Sequence, residues 1–301
     1  MVPPTVKVTL VSRQGKELGQ LELPPEANID AFKDAFHQQF HYYPERQWFN
    51  INSAKGAVFK EGTLAENNIS DGTSVVFKDL GVQISWRLVF AIEYAGPLIL
   101  FPLFYYFPNV FYSNVPLHLE RPLAQRVGFW LAIIHYAKRE LESLFVHRFS
   151  SATMPIYRLP INCFHYWIIF GASVGYFVCH PRYHALFTSP IPIYTAALVM
   201  LVFEFFNFQT HITLRNLRPR GTKSRGIPQG WGFELVSCAN YFWESLAWLV
   251  FSILTFTLSS WIFLVVAFVQ MSIWALKRHH AYQKEFKDYP RKRRAIVPFV
   301  L

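Results

Sequence analysis

The sequence predicts a multi-pass α-helical membrane protein with a small soluble α/β module at its N-terminus. Three observations lead there. Of 301 residues, 52% are hydrophobic and 18% aromatic, while only 16% are charged, against about 25% in ordinary soluble domains. Charge is also uneven: residues 1–83 hold 8 Lys/Arg and 10 Asp/Glu, whereas residues 84–301 hold 21 and 9. Finally, near residue 84 the pattern changes from short alternating runs to long apolar ones.

The module reads element by element. "TVKVTLV" alternates as a strand, "SRQGKELG" offers a turn, and "QLELP" gives a second short strand. "NIDAFKDAFHQQF" sets Ile29, Phe32, Phe36 and Phe40 at helical spacing behind an Asn28 or Asp30 cap. "QWFNI" and, after "DGT", "SVVFKDL" supply two more strands. Strand–strand–helix–strand–strand over residues 1–80 resembles a ubiquitin-like β-grasp domain. It lacks a terminal Gly-Gly, so conjugation is not implied, and the expected role is packing or docking.

Residues 84–301 are expected to form the membrane domain. Six apolar segments lie at 84–107, 125–147, 160–180, 191–214, 233–257 and 259–277. At 1.5 Å per residue each spans a hydrocarbon core of about 30 Å, giving six or seven transmembrane helices. Loop charge sets the orientation. With residues 1–83 in the cytosol, the outer loops carry Arg121, Arg126 and Arg182. The inner regions carry Lys138, Arg139, Arg148 and Arg158, then Arg215, Arg218, Arg220, Lys223 and Arg225, and last the basic tail from Lys277 to Arg294. Both termini are therefore expected to be cytosolic. A basic excess in the apolar part points to lipid headgroups or an anionic ligand and away from nucleic acid. Cys163, Cys179 and Cys238 sit in apolar stretches and form no disulfide framework, which suits a reducing compartment. The first residues show no basic region followed by an apolar one, so no cleaved signal peptide is expected.

Polar residues recur in phase inside three of the apolar segments. Ser237, Asn240, Tyr241 and Glu244 stand at i, i+3, i+4 and i+7; His135, Lys138, Arg139 and Glu142 repeat that spacing; Glu204, Asn207, His211, Arg215 and Arg218 form a comparable stripe. A single such residue can simply join two helices, and Lys138–Glu142 can be an ordinary i,i+4 pair. Three aligned stripes point instead to one interior polar site. No HExxH or paired His/Cys spacing suggests a metal, no glycine-rich phosphate loop is present, and no GxSxG nucleophile occurs. The basic loop "LRNLRPRGTKSRGIPQGWGF" (214–233) fits phosphate clamping and headgroup contact equally well.

"LRNLRPRGTKSRGIPQGWGFELVSCANYFWE" and the ending "HHAYQKEFKDYPRKRRAIVPFVL" resemble the steroid 5α-reductase superfamily of membrane enzymes. "HYAKRELESLFVHRFSSATMP", "VVFKDLG" and the ubiquitin-like start are similar to its trans-2-enoyl-CoA reductases of very-long-chain fatty acid elongation. The resemblance covers nearly the whole chain. It implies a steroid 5α-reductase-like membrane fold in the endoplasmic reticulum and NADPH as cofactor. It implies a long-chain trans-2-enoyl-CoA substrate, contact with membrane lipid, and other elongation enzymes as neighbours. By position it implies catalytic roles for Tyr241 and Lys138, and places Tyr136 where the steroid enzymes have a substrate-activating tyrosine. It assigns cofactor contacts to Arg139, Asn207, Arg218, Asn240, Glu244 and Tyr282, with His211 standing where the steroid branch has Asp. That branch also has Phe in place of Tyr241. Both departures favour the enoyl-CoA branch over a steroid or polyprenol reductase. A membrane S-adenosylmethionine-dependent methyltransferase would lack a use for "SCANYFWE", and a non-enzymatic scaffold would leave the stripes idle.

Overall fold

The structure is a computed structural model that describes residues 4–113, 120–149, 151–218 and 226–301. Its contacts divide the chain into two units, residues 1–85 with 153–158 and residues 86–152 with 159–301.

In the first unit, β1 (Val6–Ser12) and β2 (Glu17–Leu23) form an antiparallel hairpin, α1 (Ile29–Phe40) follows, and β3 (Gln47–Ile51) and β4 (Ser74–Asp79) complete the sheet. Strand order is β2-β1-β4-β3, with β1 and β4 parallel and β3 and β4 antiparallel. Alternation in β1 sends Val6, Val8 and Leu10 inward, where they meet Ile29, Phe32 and Phe36 from one face of α1. Of the two expected helix caps, Asn28 is the one used: its side chain accepts from the Ala31 amide at 2.9 Å. His41 ends the helix in the left-handed region, at φ 59°. Gln47, buried at the start of β3, donates to the carbonyls of Lys33 and Tyr42 and so ties the sheet to the end of α1. A further pair, β5 (Gln83–Ser85) with β6 (Thr153–Pro155), was not legible in the sequence because its strands are three residues long and have 67 residues between them.

The second unit is helical. α2 (Trp86–Tyr106) is followed by the short α3 (Pro108–Phe111), then α4 (Leu123–Leu141), which passes into a π-helical turn (Glu142–Val146). α5 (Leu159–Cys163) continues through a π-helical stretch (Phe164–Val174) into α6 (Gly175–Val178); α7 (Pro190–Asn216), α8 (Ala239–Thr255) and α9 (Leu258–Glu285) complete the bundle. Among the described residues four helices are long and apolar enough to cross a membrane: Trp86–Tyr106, Ile156–Val178, Pro190–Asn216 and Leu258–Glu285. The protein is thus a multi-pass helical membrane protein. The segments expected at 125–147 and 233–257 form α4 and α8; α4 carries several charges and α8 has only 17 residues.

Close approach of α2 to the 164–175 stretch depends on missing side chains. A Cβ on Gly96 would lie 2.5 Å from the Trp167 ring, and one on Gly171 would lie 2.9 Å from Leu100. Trp167 then donates its indole N–H to the Ile92 carbonyl at 2.8 Å. Lipid-facing bulk is left on the outer faces, as with Ile191, Leu198 and Phe205 of α7 and Ile262, Val265 and Val269 of α9.

The first unit offers a test of its electrostatics. Arg46 bonds both oxygens of Asp79, at 3.0 and 2.6 Å, and holds that carboxyl below the ordinary carboxylate range. A depressed folded value stabilises the fold above the unfolded carboxylate pKa of about 3.9, and the contribution is lost as pH falls through the folded value. The hydrogen-exchange protection factor of the Leu80 amide, which donates to the Arg46 carbonyl, should fall in acid in the wild type once the intrinsic exchange rate at each pH is divided out, and Asp79→Asn should flatten that dependence.

Candidate active site

α4 and α7 face each other through charged and polar side chains, which in an apolar bundle must answer one another. Glu204 of α7 is 5% exposed and accepts from two groups of α4: His135 Nδ1 at 2.7 Å and Lys138 Nζ at 2.6 Å. Lys138 also donates to Asn207 Oδ1 at 2.5 Å, and Asn207 Nδ2 donates to the Asn240 carbonyl at 2.9 Å. The chain His135–Glu204–Lys138–Asn207–Asn240 therefore runs from α4 through α7 to the first turn of α8.

A second branch starts one residue later. Arg139 donates to Glu142 Oε2 at 2.6 Å and to Tyr94 Oη of α2 at 3.0 Å. Glu142 Oε1 lies 3.0 Å from His211 Nδ1 on α7. Glu142 reaches both partners from the π-helical turn that follows α4. His135, Lys138, Arg139 and Glu142 of one expected stripe thus meet Glu204, Asn207 and His211 of the other, as helical spacing on facing helices allows.

Behind this branch lies an aromatic wall. Tyr136 is 1% exposed, packs against Phe170 and Trp248, and has its hydroxyl buried without a hydrogen-bond partner. Tyr94 and Tyr166 lie beside it, with ring centroids 6.2 Å away in each case. Glu244 of α8 is within electrostatic reach of Tyr94, Tyr136, Arg139 and Tyr166, and its carboxylate accepts no hydrogen bond among the described residues. The Tyr136 hydroxyl and the Glu244 carboxylate are thus polar groups of this wall that no side chain answers.

Three expected residues sit elsewhere. Tyr241 follows Asn240 on α8 and opens into a cavity of about 300 Å³ that it lines with Trp274, Lys277, Arg278 and Ala281. Tyr282 stacks on Tyr289 at 5.4 Å and is hydrogen-bonded to Arg278. Arg218 donates to the Arg148 carbonyl at 2.5 Å while Arg148 donates to the Arg218 carbonyl at 2.5 Å, a mutual clasp at the end of α7. Arg220, Lys223 and Arg225 of the basic loop fall in 219–225, outside the described residues.

One expectation is corrected. Ser237 does not share a helical face with Asn240, Tyr241 and Glu244, because α8 begins at Ala239. The C-terminal segment holds the preceding residues in a turn: the Ser237 amide donates to the Arg294 carbonyl at 2.8 Å and the Cys238 amide to the Ala295 carbonyl at 3.1 Å. The Ser237 hydroxyl bonds instead to His279 Nδ1 at 2.5 Å and Tyr289 Oη at 2.6 Å.

Sequence spacing also missed several groups. Glu93 of α2 is 1% exposed, hydrogen-bonded by Asn162, and leaves Oε2 without a partner; a single acid within "FAIEYAGPLIL" has no stripe to announce it. Glu142, His147 and His211 bring ligand atoms within 4.8 Å of one another although no metal motif links them. Arg139 already donates to Glu142 and touches His211 at 3.2 Å, so the cation of this cluster is a guanidinium.

Removing one partner from a buried ion pair strands the other, at a cost of about 3–5 kcal/mol. Glu204→Gln should therefore lower the thermal unfolding midpoint of the detergent-solubilised protein markedly, whereas an unchanged midpoint would mean that the α4–α7 pairing contributes no stability.

Residues 152–301 match the 3-oxo-5-alpha-steroid 4-dehydrogenase family. The chain is 41% identical over 306 residues to a very-long-chain enoyl-CoA reductase of Dictyostelium discoideum, covering 98% of this chain and 100% of that one. It is 33% identical to a trans-2,3-enoyl-CoA reductase-like protein of Bos taurus, covering 92% of this chain and 78% of that one. With the human trans-2,3-enoyl-CoA reductase-like protein it shares 31% identity, over 91% and 77% of the two chains. End-to-end similarity at this level places the chain in the very-long-chain enoyl-CoA reductase family.

Proposed function

We propose that the protein reduces the C2–C3 double bond of long-chain trans-2-enoyl-CoA thioesters with NADPH, the last step of a very-long-chain fatty acid elongation cycle. What carries the reading is the meeting of the α4, α7 and α8 polar groups in one apolar bundle, in a chain whose relatives are named as enoyl-CoA reductases. The steroid and polyprenol alternatives, and the methyltransferase, find no counterpart among these relatives.

The chemistry sets what the residues must do. Bound NADPH supplies hydride for C3, so negative charge gathers on the thioester oxygen and C2 needs a proton. Tyr241 is the proton donor, since its hydroxyl is tied to no other group among the described residues and opens into a cavity. Lys138 brings positive charge toward the enolate, and through Asn207 it fixes the carbonyl of Asn240, next to Tyr241. Tyr136, with its unpaired buried hydroxyl, hydrogen-bonds the substrate carbonyl. Asn240 and Glu244 hold the carboxamide of the cofactor by paired hydrogen bonds; Arg139, Asn207, His211, Arg218 and Tyr282 complete its binding site. The acyl chain lies among the apolar helices.

We place the enzyme in the endoplasmic reticulum membrane on six or seven helices, with both termini in the cytosol. Residues 1–80 form a ubiquitin-like β-grasp domain that docks other enzymes of the elongation cycle, and residues 84–301 form the catalytic domain. The sheet order β2-β1-β4-β3, with its central parallel pair and a helix across it, supports the β-grasp reading.

The test is NADPH oxidation by purified protein given trans-2-hexadecenoyl-CoA. Tyr241→Phe should lower turnover at least 100-fold, within the range of about 10²–10⁴ for a lost general acid, while NADPH binding persists. A Phe variant with wild-type turnover would remove Tyr241 from the mechanism. A folded wild type that binds NADPH but leaves the enoyl-CoA untouched would overturn the substrate.

A further inference from the structure

Proton donation leaves a phenolate on Tyr241, and the cavity beside that charge holds cations that the stripes do not identify. Lys138 is committed to Glu204 and Asn207, and Arg139 to Glu142 and Tyr94. The cavity that Tyr241 lines is bounded on the other side by a single face of α9: Trp274, Lys277, Arg278 and Ala281 stand at i, i+3, i+4 and i+7. Neither Lys277 nor Arg278 has a carboxylate partner among the described residues. Arg278 is held by a hydrogen bond to Tyr282, one turn further along α9, and lies within electrostatic reach of Tyr241 and Cys238. The remaining charged groups that reach Tyr241 are Glu244 on its own helix and Arg139 on α4. Ala281 keeps this face low where a larger side chain would fill the cavity.

We infer that Arg278 is a further catalytic residue, whose guanidinium faces the Tyr241 hydroxyl across this cavity and stabilises the phenolate formed when the proton passes to C2. The inference rests on Tyr241 being the donor. In the step, the Tyr241 O–H bond breaks and a C2–H bond forms. The electron pair of the enolate enters the new bond and the thioester carbonyl is restored. The phenolate then regains a proton from water through the open side of the cavity. A preorganised cation beside a charge that exists only during the reaction accelerates the chemical step without tightening substrate binding. Arg278 would thus act on kcat and leave KM near its wild-type value, whereas a basic residue that merely anchors the end of α9 at headgroups would change neither.

The test uses the full-length protein in detergent, with folding checked by NADPH binding and thermal midpoint. Arg278→Ala should lower kcat about 100-fold, the scale of a lost oxyanion partner, with KM for trans-2-hexadecenoyl-CoA and the NADPH Kd retained. Added guanidinium ion should restore part of the rate, because the cavity is open and the missing group is small; Arg278→Lys should retain more activity than Arg278→Ala. In single-turnover measurements Arg278→Ala should cost little more in a Tyr241→Phe background, where no phenolate forms. Wild-type kcat in Arg278→Ala, a loss that appears in NADPH binding instead of kcat, or full additivity with Tyr241→Phe would each overturn the inference. A Tyr241→Phe variant with unimpaired turnover would instead overturn the donor assignment itself.

Discussion

A carboxylate inside a membrane bundle is the constraint on which this architecture turns. Glu204 is removed from solvent on α7, and an ion so placed loses several kcal/mol of hydration. One cation at about 4 Å returns roughly 4 kcal/mol at an effective dielectric near 20, which leaves little margin. The carboxylate is held by two donors, His135 and Lys138, one on each oxygen. Both come from α4, one turn apart, so satisfying Glu204 fixes the rotation of α4 against α7. Once that rotation is set, Arg139 must point toward Glu142 and Tyr94, Asn207 must point toward α8, and His211 must meet Glu142. The polar groups are mutually determined, and this is why they occur as a set.

The start of α8 depends on a different kind of restraint. Asn240 and Tyr241 belong to its first turn, where neighbouring backbone amides have no partner within the helix. The C-terminal segment passes beside the preceding residues and takes up the Ser237 and Cys238 amides, while Arg293 donates to the Pro228 carbonyl at 2.9 Å. Ala295 and Ile296 anchor that segment in the main hydrophobic core. The basic tail thereby has a structural use besides orientation: its backbone sets where α8 begins, and so which residues face α7 and which face α9.

How much of this was legible in the sequence follows from the range of the interactions. The stripes on α4 and α7 were readable because helical periodicity is local and lipid penalises a charge on the wrong face. The elements of the N-terminal unit were readable for the same reason, through alternation in β1 and the Ile29, Phe32, Phe36 series in α1. The displacement of Ser237 was not, since it comes from residues 294 and 295, far along the chain. Glu93 stands alone in an apolar run, so periodicity carries no signal for it; only its burial beside Asn162 and Arg139 sets it apart. The Glu142, His147 and His211 cluster needs a π-helical turn to form, and a 3.6-residue pattern does not anticipate one. Arg278 was counted as part of a positively charged end, because sequence gives its charge and not what it faces.

Two electrostatic environments consequently lie on either side of one helical turn of α8. Toward α7, Lys138 and Arg139 are matched by carboxylates and an amide oxygen, and the arrangement is rigid because unmatched charge there would be expensive. Toward α9, Lys277 and Arg278 keep their charge unmatched beside an open cavity, where water lowers the cost of leaving it so. A reaction that creates and discharges an anion within one turnover needs both. Fixed dipoles must hold the reactants without rearranging, and uncommitted positive charge must meet the anion when it forms. Tyr241 stands at the junction, on the residue after the one whose carbonyl Asn207 fixes. A positional error in the buried network would reach its hydroxyl through a single peptide unit, so the stability of the α4–α7 pairing and the precision of proton transfer depend on the same few hydrogen bonds.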